Sequence, residues 1–284
     1  MKLPAFDYAA PQTLAEAIAL LATHADALPI SGGQSLIPIL AFRLAAPSLL
    51  VDLRCIPGLD AITVSATGVS LGAKVRWCDI EQDERLASAH PLLAEAVNYI
   101  AHYPIRSRGT VGGSLAHADT AAELPGIAVT CDAEIVVIGS AGTRAIAAQD
   151  FFVGPMMTSL AHDELVTELR LPPWPPARRW AFEEFARQHG AFALAGIALY
   201  YDLQGGVAAN THIGVIGASS KLQRIAEAEA ALNGRVVDEA AILETAKAAA
   251  AAVDPADDID APAAYRRSLV ETLTERALQR ARGR

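Results

Sequence analysis

The stretch His102–Glu123, HYPIRSRGTVGGSLAHADTAAE, decides how the chain is read. The small residues Gly109, Gly112, Gly113, Ser114 and Ala116 crowd behind two arginines, Arg106 and Arg108. Such a run suits a backbone that must come close to a ligand. Glycine has no Cβ, tolerates φ > 0, and lets amide N–H groups point at an anion without a steric wall. Working outward, a stretch of the same kind lies upstream: Pro29-Ile30-Ser31-Gly32-Gly33-Gln34-Ser35-Leu36. There an apolar segment ends in a double glycine and a polar pair, and a helix-like run follows. Two glycine pairs, each closing an apolar segment, point to two backbone cradles on one long ligand that carries a pyrophosphate. Neither is a GxGxxG fingerprint or a GxxxxGK[ST] loop, and a lone double glycine is as readily a tight turn.

The composition bounds what such a chain can be. Its 284 residues suffice for one large domain or two modest ones. With 52% hydrophobic and 19% charged residues it can build a substantial core and is not of disordered type. Lys and Arg number 23 against 32 Asp and Glu, a net charge of −9, which argues against a nucleic-acid binder. Cys55, Cys78 and Cys131 are isolated, so neither an iron–sulfur nor a zinc site is expected within the chain. Three lone cysteines fit a reducing cytoplasm. The opening MKLPAFDYAAPQTL has no apolar signal region, and no apolar run reaches the ~18 residues of a membrane span. His102, His189 and His212 form no spaced cluster, so no metal site is expected.

Taken in order, Thr13 is an N-cap candidate for a helix over 14–27, with Glu16 completing a capping box. A short strand at 28–30 runs into Gly32-Gly33, a helix is expected over 35–44, and a strand over 48–52. Residues 1–57 thus read as a small β-α-β unit. From Ala61 the pattern changes: a hairpin over 61–73, helices over 80–86 (capped by Asp79), 92–100 (opened by Pro91) and 121–130, and strands over 133–138, 144–146 and 164–171. Pro172-Pro173-Trp174-Pro175-Pro176 is the clearest boundary, since four prolines in five residues cannot continue a helix or a central strand. It divides 58–176 from 177–284. The last part reads as three strands, 180–187, 193–203 and 207–215, then helices over 222–232, 238–253 and 262–282, an α+β module. Gln204-Gly205-Gly206 gives the hairpin turn.

At these residues the chain resembles the FAD-binding medium subunits of the molybdenum hydroxylases, which serve carbon monoxide, xanthine, nicotinate and aromatic-acyl-CoA dehydrogenases. The family segment AGGxSLLPxxxxRLxxPxxLVDL stands here as SGGQSLIPILAFRLAAPSLLVDL, Ser31–Leu53. IRNxGTxGGNxAHxDPAAELP stands as IRSRGTVGGSLAHADTAAELP, Ile105–Pro125. Thr158–Pro172, Arg187–Gly196 and Ala264–Leu278 match further, so the likeness spans nearly the whole chain. It implies an α+β fold: a two-subdomain FAD-binding domain of the vanillyl-alcohol-oxidase/p-cresol-methylhydroxylase type, plus a C-terminal α+β domain with a three-stranded antiparallel sheet and helices. It also implies cofactor-binding residues. Ser31, Gly32, Gly33, Gln34 and Ser35 would take the pyrophosphate from one side, and Thr110, Val111, Gly112, Gly113 and Ser114 from the other. Asp119 would accept ribose hydroxyls and Glu123 would fix that loop. Leu160 and the region 187–192 would lie by the isoalloxazine. Ile30, Leu36, Ala101, Arg187 and Phe192 complete the set. Three positions depart from the family: Ser114 for a common Asn, Thr120 for Pro, and Phe192 for an aromatic Tyr near the flavin. Phe192 keeps the packing surface but has no hydroxyl to tune the ring or gate an acceptor.

The resemblance implies an electron-transfer role with no catalytic acid, base or nucleophile in this chain. Electrons from two [2Fe–2S] clusters of a small subunit would reach FAD here and pass to a quinone, NAD or dioxygen. Molybdopterin-bound molybdenum would sit in a large subunit, and the assembly would be a cytoplasmic dimer of heterotrimers. Two other readings stay open: a self-contained FAD-dependent reductase of the same fold, and a non-redox nucleotide-binding regulator. Arg106 and Arg108 are open between phosphate or partner contacts and ties to loop carbonyls, the commoner use. His117 reads as structural before catalytic, the run 254–260 as a solvated acidic loop, and the last helix as either a docking face or a charged outer face.

Overall fold

The computed structural model describes residues 2–284 and arranges them as three larger sheets and one two-stranded ribbon, with helices between. The first unit comprises β1 (Asp7–Ala9), α1 (Leu14–Thr23), β2 (Leu28–Ile30), α2 (Leu36–Ala41) and β3 (Leu49–Asp52). Its three strands are all parallel, in the order β1-β3-β2. Parallel pairing demands crossovers, and α1 and α2 belong to these. Ala17, Ile18 and Leu21 recur at helical spacing and bury against Leu49 and Val51 of β3. Thr13 caps α1 by accepting from Glu16 N at 3.2 Å, while the Glu16 carboxylate reaches back to Gln12 N at 2.7 Å. The helix stops at Thr23 rather than Ala27. Thr23 Oγ1 donates to Ala19 O at 2.7 Å and His24 leaves the helical region, which leaves 24–27 as a turn.

The second unit runs through β4 (Ile62–Ser65), β5 (Gly68–Gly72), α3 (Trp77–Gln82), α4 (Leu86–Ala89), α5 (Pro91–Ala96), α6 (Tyr103–Arg106), α7 (Val111–His117) and α8 (Glu123–Thr130). It continues with β6 (Glu134–Gly139), β7 (Gly142–Ala147), α9 (Ala148–Phe151), β8 (Phe152–Gly154), β9 (Met157–Thr158) and β10 (Leu165–Leu171). Five strands form an antiparallel sheet in the order β4-β5-β10-β6-β7. Asp79 is not the cap of a helix starting at Ile80. It lies in the first turn of α3, which starts at Trp77, and its carboxylate accepts from Arg76 N at 3.0 Å. The second glycine pair is not a free-standing turn either: Gly112 and Gly113 form the first turn of α7, capped by Thr110.

The third unit is β11 (Arg179–Ala186), β12 (Ala193–Gln204), β13 (Val207–Ile216), β14 (Gln223–Arg224), α10 (Ala226–Leu232), α11 (Glu239–Ala252) and α12 (Ala263–Arg282). Gly205 and Gly206, at φ +61° and +86°, turn the β12–β13 hairpin. The sheet has four strands, not three. Gln223 and Arg224 pair with Val215 and Gly214, so the helix expected from Leu222 begins only at Ala226. Arg224 is held there by ion pairs to Glu229 and Asp132, both at 2.7 Å.

Alternation along β11 shows how the sheet divides its faces. Ala181 joins the core under the C-terminal helices, whereas Phe182 enters the core of the second unit and meets Tyr99 at 4.9 Å. The proline-rich segment crosses between the units as coil. Its Trp174 is wedged between His90 and Tyr200, with ring centroids at 4.6 and 5.3 Å. One apolar core therefore continues from the five-stranded unit to one face of the four-stranded sheet.

Candidate functional site

The two glycine segments meet. Gly32 lies on the backbone of Arg108 and Gly109 so tightly that a Cβ at Gly32 would overlap the Arg108 carbonyl oxygen. Next to it Thr110 Oγ1 donates to Ser31 Oγ at 3.2 Å, across 79 residues of chain. Gly33 adopts φ +69°, a left-handed turn that favours glycine. Gln34 Nε2 donates back to Gly32 O at 2.9 Å and fixes the turn. Behind the turn α2 begins at Leu36, with Ile37 N bonded to Gly33 O at 3.1 Å.

The decisive feature is what the turn leaves unpaired. Among the described residues, the amides of Gly32, Gly33, Gln34 and Ser35 find no backbone or side-chain acceptor. All four residues are half-buried. Consecutive amides without acceptors are costly unless an anion or water meets them, and a turn of this kind forms an anion-binding concavity. Ile30 and Leu36 flank it, also half-buried.

The second segment contributes differently from its sequence reading. Val111 N donates to Val75 O at 2.9 Å and Gly112 N to Ala73 O at 2.8 Å, so these amides serve the fold and do not face an anion. Gly112 is glycine because a Cβ would lie 2.6 Å from that of Ala73, on the segment following β5. Thr110 Oγ1 caps Gly113 N at 3.2 Å, and Ser114 N returns to Thr110 O at 3.0 Å in the first helical turn. Gly113 is exposed and Ser114 half-buried at the end of α7 that lies beside Ser31. Together these residues form a wall and cap rather than a second row of free amides.

The other expected residues spread over a larger surface. Asp119 uses one carboxylate oxygen to accept from Ala121 N at 2.9 Å, the loop being held by Gly217 N on Thr120 O at 2.8 Å. Glu123 opens α8, is only 6% exposed, and forms no ion pair among the described residues. Its burial pushes its carboxyl well above the usual range, with Asp119 adding to the effect. Ala101 takes φ +44°, and the Gly190 backbone packs so closely on it that a Cβ at Gly190 would lie 2.9 Å from the Ala101 carbonyl. Leu160 packs on the central core. Arg187 is exposed and paired to Asp260 at 2.5 Å, which ties the acidic run to this loop, and Phe192 is 65% exposed.

Arg106 belongs to the loop itself. It donates to Ile100 O and Ala101 O at 3.1 and 2.9 Å and pairs with Glu81 at 3.2 Å. Arg108 gives only its carbonyl to the Gly32 contact, and its side chain has no ion-pair partner among the described residues.

A group that sequence reading passed over is Glu184 of β11. It lines a cavity of about 190 Å³ with Tyr99, Phe185, Ala186, Gln188, His189 and Gly190. Its Oε2 is buried without a partner, and burial, followed by the charge of Glu123, pushes its carboxyl far up. The only available signal was parity: Glu184 follows Trp180 and Phe182 on one face of a strand, where a carboxylate is out of place.

Comparisons with known proteins fit this arrangement. The family described as "FAD binding domain in molybdopterin dehydrogenase" matches residues 4–174, and "CO dehydrogenase flavoprotein C-terminal domain" matches residues 180–281. The chain is 39% identical over 284 residues to the nicotine 6-hydroxylase medium subunit of Paenarthrobacter nicotinovorans, covering 100% of both. Its structure superposes with TM-score 0.97 on a chain of carbon monoxide dehydrogenase from Hydrogenophaga pseudoflava, at 34% identity, covering 100% of this chain and 99% of that one. Quinoline 2-oxidoreductase from Pseudomonas putida 86 gives TM-score 0.95 at 39% identity, with 100% and 99% covered.

Proposed function

We propose, from the premise that this chain belongs to the family of FAD-binding medium subunits of molybdopterin dehydrogenases, that the turn Gly32–Ser35 holds the diphosphate of FAD. The family makes it an oxidoreductase subunit; the placement of the cofactor is our reading. The observation that carries it is the row of four half-buried amides without acceptors. The cradle fits an anion that needs no lysine, and a net charge of −9 leaves backbone donors as the economical choice. Thr110, Gly113 and Ser114 close the cradle from the second segment, with Val111 and Gly112 supporting them from behind. The free oxygen of Asp119 is available to ribose hydroxyls. The cavity lined by Tyr99, Glu184 and Gln188–Gly190, whose Gly190 packs on Ala101, supports placing the isoalloxazine where the units meet; Leu160 and Phe192 are assigned to its surroundings by the family resemblance.

When bound, FAD supplies a redox group that trades one-electron steps for two-electron ones. The chain would orient it, and the C-terminal unit would screen it from water. We assign 1–57 and 58–176 as the two FAD-binding subdomains and 177–284 as the C-terminal domain. We further assign the partners as a large molybdenum-cofactor subunit and a small subunit with two [2Fe–2S] clusters, in a dimer of heterotrimers. The acceptor would be a quinone, NAD or dioxygen, and the compartment the cytoplasm. No described helix is long and apolar enough to cross a membrane.

Purified chain, reconstituted with FAD, is expected to carry about one flavin per chain and to show no turnover until partner subunits are added. Turnover by the chain alone, or a preparation that takes up ADP but no flavin, would contradict the assignment.

A further inference from the structure

The face of α7 that meets the cradle continues beyond it. Val111, Leu115 and Ala118 recur at helical spacing and are buried in the central core, and Gly112 lies on Ala73. Thr110, Gly113, Ser114 and His117 stand at i, i+3, i+4 and i+7, so they share a different face. Thr110 pins the start of that face to the cradle through its 3.2 Å bond to the Ser31 hydroxyl. Gly113 is exposed there, Ser114 half-buried, and His117 is half-buried one turn further along, ~5.4 Å down the helix axis. Ala118, at φ +52°, then ends the helix, and Met156 N of the β8–β9 hairpin closes that end by donating to Ala118 O at 3.0 Å.

The chain has seven histidines. His24, His90, His162 and His212 each use a ring nitrogen in a hydrogen bond to the backbone, at 2.9, 3.2, 2.9 and 2.8 Å. The rings of His102 and His189 lie 6.2 Å apart. His117 differs: among the described residues its ring has neither a hydrogen bond nor an ion pair, although it is half-buried. A structural histidine is expected to be bonded, and the fold supplies His117 with no bond. An imidazole in its neutral form offers one donor and one acceptor, which is the pair a hydroxyl group matches.

We propose that His117 is a cofactor-binding residue whose ring hydrogen-bonds a hydroxyl on the sugar chain next to the diphosphate. This rests on the flavin assignment above. A diphosphate held between Gly32–Ser35 and the Gly113–Ser114 end of α7 carries a ribose on one side and a ribityl chain on the other. Both bear hydroxyls within a few bonds of the phosphates, and one helical turn spans that distance. Charge neutralisation stays with the amides of the turn. His117 adds a directional contact that fixes how the ligand leaves the cradle, with no proton or electron transferred.

FAD titration of the flavin-free full-length chain, followed by flavin fluorescence, tests this in H117L and H117Q. H117L removes the hydrogen bond at similar volume and should bind FAD roughly fivefold more weakly. H117Q keeps a donor and an acceptor and should recover most of that loss. H117A takes the place of H117L if the latter does not give the wild-type circular dichroism spectrum. Competition by ADP identifies the hydroxyl: weaker ADP binding in H117L assigns it to the ribose, and unchanged ADP binding to the ribityl chain. Wild-type FAD affinity in a folded H117L or H117A would overturn the proposal. So would an H117Q that binds no better than H117L, since packing or charge would then be the cause. Wild-type chain that takes up no FAD would instead overturn the cofactor assignment, a distinguishable failure.

Discussion

Substituting Gly32 by alanine would push a methyl group into the Arg108 carbonyl, a backbone atom that cannot swing aside. Overpacking of this kind costs about 1–3 kcal/mol, and here the strain falls on the contact that joins the two segments. G32A should therefore keep its circular dichroism spectrum but bind FAD tenfold or more weakly, as read from flavin titration. Unchanged affinity would show that the contact between Gly32 and Arg108 does not shape the site. The turn at Gly32-Gly33 was legible from its place at the end of an apolar segment; its use as a cradle is the proposal made above. The reason Gly32 must be glycine was not legible, because the obstructing atom lies in a distant stretch of chain. Gly112 taught the reverse lesson. A glycine that reads as a ligand contact is instead the point where α7 lies on Ala73. Sequence shows that a backbone comes close to something, but not whether that something is a ligand or another strand.

At the scale of elements, boundaries followed capping and turn chemistry where these are local. The Thr13 cap, the Gly205-Gly206 hairpin and the Pro91 helix start all stand as read. The misses were elements set by tertiary partners. Strand β14 exists because Gln223 and Arg224 find an open edge on β13 and an ion-pair network, neither visible in a two-residue stretch. Helix α5 carries a testable consequence. His90 caps it, accepting from Leu93 N at 3.2 Å, and is fully buried against Trp174. Desolvation lowers its imidazole from 6.5 to about 3, so the folded protein keeps it neutral. The unfolded chain takes up that proton below pH ~6.5. Stability from this group is thus complete above the unfolded value and is lost as pH falls toward 3. Between pH 6.5 and 5 the loss amounts to ~2 kcal/mol. H90N keeps a capping acceptor but cannot titrate in this range. Unfolding free energies from urea titrations at pH 7 and pH 5 should lie closer together in H90N than in wild type by that amount, and an equal gap would show that His90 is not the group responsible.

Over the whole molecule, the three larger sheets are joined by specific bonds as well as by the shared core. Arg266 of α12 is buried and donates to Leu194 O at 2.7 Å, Gly217 O at 2.9 Å and Asp258 at 2.7 Å, locking the last helix to β12 and the loop after β13. Gly217 in turn holds the Thr120 carbonyl, so the C-terminal unit reaches the Asp119 loop. The family and the broad fold were legible from two glycine stretches. The placement of Glu184, with a buried partnerless oxygen in a cavity beside Tyr99, was not, since it arises only when one sheet packs on another unit. The claim on which the account rests is that Gly32–Ser35 and the Thr110 end of α7 enclose one diphosphate. The most direct measurement is a crystal structure of the flavin-loaded protein. It should place diphosphate oxygens ~2.7–3.2 Å from the amides of Gly32–Ser35, with Thr110 and Gly113 closing the other side. A flavin whose diphosphate lies elsewhere, leaving those four amides to solvent, would contradict it.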